Sequence, residues 1–204
     1  MKNIIPSLTI LILSSLFLFS CSLTKPSPSL DLSLNSDSIT PMDTTSPSIN
    51  SSDINSPDQL GQIRVQLETK YGPVIMELFK SDAPNTVNNF LAKVQSKFYN
   101  GLTFHRVEPG FVVQGGDPLG NGTGGGDIAS EINTLPFKRA SLGLARGGDI
   151  NISNDSQFFI CLTDEQCGHL TNQYVNFGSV VSGIEFVDQI KPGDQIVSVE
   201  VLTK

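Results

Sequence analysis

Ile63, Val65 and Leu67 alternate with Arg64, Gln66 and Glu68, the period-two pattern of a strand with one buried face. Tyr71, Gly72 and Pro73 turn the chain, and the apolar run over 74–79 returns as a second strand, so the two read as a hairpin. Pro84 sits where a starting helix tolerates proline. After it, Val87, Phe90, Leu91 and Val94 fall on one helical stripe. Asn100-Gly101 marks a turn, and strand signals follow at 102–107 and 111–114. Beyond a Gly-rich loop over 115–126, further strand signals lie at 141–145, 157–162, 175–180 and 196–202. A second helix fits 183–190, with Ser182 as its N-cap and Pro192-Gly193 ending it. Many short strands with two amphipathic helices predict a mainly β fold, a closed antiparallel barrel or a sandwich. In a barrel the helices would plug the open ends.

The chain before this pattern is of another kind. Lys2 precedes an apolar run over 4–19, shorter than the roughly 20 residues of a membrane-spanning helix. A basic start and an apolar stretch of this length read as a secretory signal over 1–20. Leu18-Phe19-Ser20-Cys21 closes it and resembles the bacterial lipobox. That resemblance implies lipidation of Cys21, an N-terminal lipid anchor in a membrane and an exported protein. An uncleaved anchor, or a signal cut elsewhere, would export the domain as well. After Cys21 the composition shifts to Ser, Thr, Pro, Asn and Asp without aromatic residues. Such a segment buries too little apolar surface to offset its ordering entropy, so 21–61 is expected to be a disordered tether. The folded domain is expected over 62–204.

Charge narrows the functional classes. The chain holds 20 Asp and Glu against 13 Lys and Arg, a net charge of −7. Nucleic acid demands a basic face, so no nucleic-acid partner is expected.

The candidate chemistry lies in 104–117, Phe-His-Arg-Val-Glu-Pro-Gly-Phe-Val-Val-Gln-Gly-Gly-Asp. Other pieces stand around it in order: Phe98-Tyr99-Asn100-Gly101-Leu102 before, then Gly122-Thr123-Gly124-Gly125, Ser156-Gln157-Phe158-Phe159-Ile160 and Asn176-Phe177-Gly178 after. Together they resemble the cyclophilins in sequence, order and spacing across 62–204. The resemblance implies a closed eight-stranded antiparallel barrel capped by two α-helices. It also implies peptidyl-prolyl cis/trans isomerisation without cofactor or metal, proline-containing polypeptides as partners, and a monomer.

Arg106 matches the family's catalytic arginine. Phe111, Val112, Phe159 and Leu170 match its prolyl pocket, although Val112 stands where Met is usual. Gln114 matches a side chain that contacts the substrate backbone and orients the arginine. Ala145, Arg146 and Tyr174 match positions along the neighbouring groove, with Arg146 in place of a common Asn and Tyr174 in place of a frequent His. His169 stands where the family often has Trp at the pocket rim. His105 belongs to the signature and reads as structural. The stretch 147–155 is longer than usual and borders the groove.

Rival readings are weaker. Gly120 to Gly125 satisfies G-x-G-x-x-G, but a dinucleotide loop needs a strand before it and a helix after it, and 127–136 has no helical period. Cys161, Cys167 and His169 lie close in sequence without a typical zinc spacing. A disulfide between the two cysteines stays open, subject to geometry. The rival from another class is a proline-binding or chaperone module without turnover, against which Arg106, Phe111, Gln114 and Phe159 argue.

Overall fold

The computed structural model describes residues 62–203. The expected signal segment, Cys21 and the tether lie outside the described residues.

Alternation builds the first hairpin. Strands β1 (Ile63–Thr69) and β2 (Gly72–Leu78) bury every second side chain, Val65 and Leu67 facing Met76 and Val74. The turn is fixed by Thr69, whose hydroxyl accepts from Tyr71 N at 3.1 Å and Gly72 N at 3.2 Å. Gly72 has φ +141°, and a Cβ there would strike the Phe186 ring, so no larger residue fits.

Helix α1 (Pro84–Gln95) buries Thr86, Val87, Phe90 and Val94, while Leu91 packs against the core half-buried. Its N-cap, Ala83, supplies no side-chain acceptor. Glu131 does so from a distant loop, accepting from Asn85 N at 3.0 Å and Thr86 N at 2.7 Å. An anion at these free N–H groups also suits the helix dipole.

The remaining strands are β3 (Arg106–Glu108), β4 (Val112–Gly115), β5 (Asp127–Ala129), β6 (Ser141–Leu144), β7 (Ile152–Asn154), β8 (Phe158–Cys161), β9 (Asn176–Ser182) and β10 (Ser198–Leu202). Eight of the ten strands among the described residues form one antiparallel sheet in the order β10-β1-β2-β9-β6-β8-β4-β3. The sheet curls into a half-barrel, and here the expectation of a closed barrel is corrected: no ladder joins β3 to β10. Their lead-in segments meet instead, through the bridge Thr103–Gln195 and the bonds Ile196 N to Leu102 O and Phe104 N to Asp194 O, each 2.8 Å. Of the expected strand over 102–107 only Arg106 and Val107 lie in β3, because residues 102–104 bond to 193–196 through that isolated bridge and not to β4. A three-residue edge cannot carry a full seam.

Helix α2 (Asp164–Cys167) and helix α3 (Ile184–Val187) are single turns. The expected helix over 183–190 is therefore shortened. Ser182 is not its cap, because it pairs with Ile75 as the last residue of β9. Gly183, at φ +84°, makes the reversal. The small β5–β7 pair and α2 have no expected counterpart.

Strand β8 is buried along its whole length, which places it between two apolar layers. Phe158 and Ile160 enter the main core beneath α1, where Phe90, Tyr99, Phe158 and Phe177 lie with ring centroids 5.1–5.7 Å apart. Phe159 and Cys161 enter a smaller cluster with Val112, Phe137, Cys167 and Leu170. Period-two geometry thus gives one strand to the core and to a second apolar floor.

Candidate active site

The second floor opens to solvent as a cavity of about 260 Å³. Its lining is Arg106, Phe111, Val112, Gln114, Ala145, Arg146, Phe159, His169, Leu170 and Tyr174. Every side chain that the sequence singled out for a prolyl site therefore meets here, brought from β3, β4, β8, the residues just before β4 and just after β6, and the segment that follows α2.

The apolar half rests on aromatic packing. Phe159 stacks on Phe137 and meets Tyr174 edge-on, both at 5.7 Å, and Phe111 stacks on His169 at 5.7 Å. Gly143 lies opposite Phe159 in the sheet, and a Cβ at that glycine would collide with the phenyl ring. Gly143 belongs to none of the motifs, and a glycine within a strand pattern is its one signal in the sequence.

A disulfide joins Cys161 to Cys167, with the Cα atoms 6.2 Å apart, inside the usual range. It ties β8 to α2 just before His169 and Leu170. The sulfur atoms are thereby committed to each other, which removes the metal reading. Among the described residues, no group of three or more His, Cys, Asp or Glu is placed to hold an ion.

The polar half is a chain of hydrogen bonds. Arg106 lies opposite Gln114 in the β3–β4 ladder and donates from Nη1 to Gln114 Oε1 at 3.0 Å. Gln114 donates to Gln157 Oε1 at 3.0 Å, and Gln157, buried, donates to Gly124 O at 2.8 Å. The Gly-rich loop that receives these bonds is itself held. Asp117, buried, accepts from Leu119 N and Asn121 N, each at 2.9 Å, and from Gly122 N. Burial acts to raise the Asp117 carboxyl, yet these N–H donors hold it below the usual range. The glycines therefore serve a turn folded on Asp117, and the strand that follows is β5, not a helix. On the other edge of Arg106, Nε and Nη2 donate to Glu108 Oε1 at 2.9 and 2.7 Å. Gln157 and Glu108 received no role from the sequence.

Arg146 lies over the Tyr174 ring at 4.6 Å and donates from Nε to Gln173 O at 2.9 Å, so it forms a fixed wall. His105 does not line the cavity. Both its ring nitrogens are buried without partners, and burial lowers its pKa.

The sequence matches the family model of the cyclophilin type peptidyl-prolyl cis-trans isomerases over residues 64–202. The chain belongs to this family. A peptidyl-prolyl cis-trans isomerase of Synechococcus elongatus is 43% identical over 141 residues, covering 67% of this chain and 94% of its own. Isomerase B of Bacillus subtilis is 42% identical over 129 residues, covering 61% and 87%. A crystal structure of a cyclophilin-type isomerase from Cryptosporidium parvum superposes with a TM-score of 0.66 at 31% identity, over 71% of this chain and 99% of that one. The same protein in the presence of the dipeptide Ala-Pro gives 0.64 at 31% identity, over 69% and 99%. The cyclophilin domain is a peptidyl-prolyl cis-trans isomerase.

Proposed function

We propose that the cavity beside Arg106 is where the X–Pro bond rotates. Rotation meets a barrier of about 18–20 kcal/mol because the amide C–N bond has partial double-bond character. At the twisted geometry conjugation is lost and the prolyl nitrogen regains a basic lone pair. A catalyst needs an apolar seat for the ring, a donor aimed at that nitrogen and a grip on the flanking backbone. No nucleophile is required. Phe111, Val112, Phe159 and Leu170 form the seat. Gln114 holds the substrate backbone and, with it, Arg106. Ala145, Arg146, His169 and Tyr174 border the groove for the neighbouring residues. An N–H of Arg106 is strongest where charge develops, so it favours the transition state over the ground state. The observation that carries this reading is the relay from Gly124 through Gln157 and Gln114, which fixes a guanidinium at the edge of an apolar cavity. An isomerisation assay of the Arg106→Ala variant on a prolyl peptide tests it.

The clients are proline-containing segments of exported polypeptides, and the domain is a monomer held at a membrane by lipid on Cys21. Support for the anchor comes from the basic start, the apolar run and Leu18-Phe19-Ser20-Cys21. Cys21→Ser is expected to release the protein from the membrane fraction or block its maturation. Membrane retention of the Ser variant at precursor size contradicts lipidation.

A further inference from the structure

We propose that Glu108 is a positioning residue that holds the guanidinium of Arg106 by its side edge. The proposal rests on Arg106 acting as proposed above.

Residues 106 and 108 are two apart on β3 and share one face of the strand. Glu108 Oε1 receives Nε at 2.9 Å and Nη2 at 2.7 Å, and Gln114 Oε1 receives Nη1 at 3.0 Å. A guanidinium has five N–H donors in a rigid plane. Three of them are bound from two sides, which fixes the plane and leaves an N–H on each Nη for a substrate. With Gln114 alone the plane would swing about a single bond.

The ion pair is half exposed, with side-chain accessibilities of 43% for Arg106 and 49% for Glu108. In that setting an ion pair adds little to stability, so its consequence falls on orientation. Glu108 also carries the turn into the pocket, because Phe111 N donates to Glu108 O at 2.9 Å. That bond uses the main chain and survives a side-chain change, so a substitution isolates the clamp.

The test compares full-length protein with the Glu108→Ala, Glu108→Gln and Arg106→Ala variants in a prolyl-peptide isomerisation assay. Glu108→Ala is expected to lower kcat about three- to fivefold with KM nearly unchanged, the scale of one exposed ion pair. Glu108→Gln recovers most of the loss, since its amide oxygen still accepts both N–H groups. The Nε–Hε resonance of Arg106 should shift in the Ala variant and stay near its place in the Gln variant. In an Arg106→Ala background, Glu108→Ala has no further effect. Unchanged kcat in Glu108→Ala beside a large loss in Arg106→Ala overturns the positioning role, as does a change in KM alone. Full turnover in Arg106→Ala is a separate result that removes the role of the arginine itself.

Discussion

Arg106 and Gln157 do not touch, yet Gln114 links them: it accepts from Arg106 Nη1 and donates to Gln157 Oε1, each at 3.0 Å. Gln157 is buried and anchored on the carbonyls of Gly122 and Gly124. One side of the exposed arginine is thus held from inside the protein. Gln157→Leu removes the anchor and leaves Gly122 O without its Gln157 donor, while Gly124 O keeps that of Asn154 Nδ2 at 2.9 Å. It should cost about 0.5–1.5 kcal/mol of stability and lower kcat roughly fivefold, the equivalent of one lost bond of about 1 kcal/mol. Urea unfolding and steady-state kinetics measure both. Unchanged kcat in a folded variant contradicts the relay.

The disulfide makes a second prediction. Cys161 and Cys167 are 6 residues apart, and closing so short a loop is worth about 2 kcal/mol in the unfolded chain. Reductant should lower the unfolding midpoint of the native protein accordingly. KM should rise, because His169 and Leu170 follow directly on the released segment. A Cys161→Ala/Cys167→Ala variant should not respond to reductant. Equal midpoints with and without reductant in the native protein would contradict this.

The helix cap predicts a pH dependence. Burial acts to raise the Glu131 carboxyl, but the N–H groups of Thr86 and Asn85 hold it below its ordinary value. The folded pKa thus lies below the unfolded one of about 4.3. Stabilisation is complete above the unfolded value and disappears as pH falls through the folded one. Glu131→Gln should cost about 0.5–2 kcal/mol at neutral pH, the scale of a lost cap. The gap between variant and native protein should narrow toward acid. Thermal unfolding against pH checks the slope, and a gap that stays constant across the range contradicts the assignment.

The hairpin, α1 and the long strands were legible because their burial is periodic over enough residues to register. Strands β5 and β7 were not, since three residues each cannot display a period. Ser182 looked like a cap until its pairing with Ile75 made it part of a strand, and strand pairing does not appear in a single sequence. For the same reason the open seam between β3 and β10 read as a closed barrel. All ten candidate cavity residues were legible through motif resemblance. Gln157, just before β8, and Glu108, at the end of β3, were not, because a polar side chain carries no local mark of its partner. The disulfide stayed open because bridging depends on Cα separation.

The most direct measurement is the isomerisation rate of a prolyl peptide with native protein and with Arg106→Ala, beside a far-ultraviolet circular dichroism check of folding. Because the side chain is half exposed and its ion pair adds little to stability, the variant should fold. Its kcat/KM should fall about 10²–10³-fold, as when an oriented donor to the transition state is removed. A folded variant with near-native turnover would contradict the account.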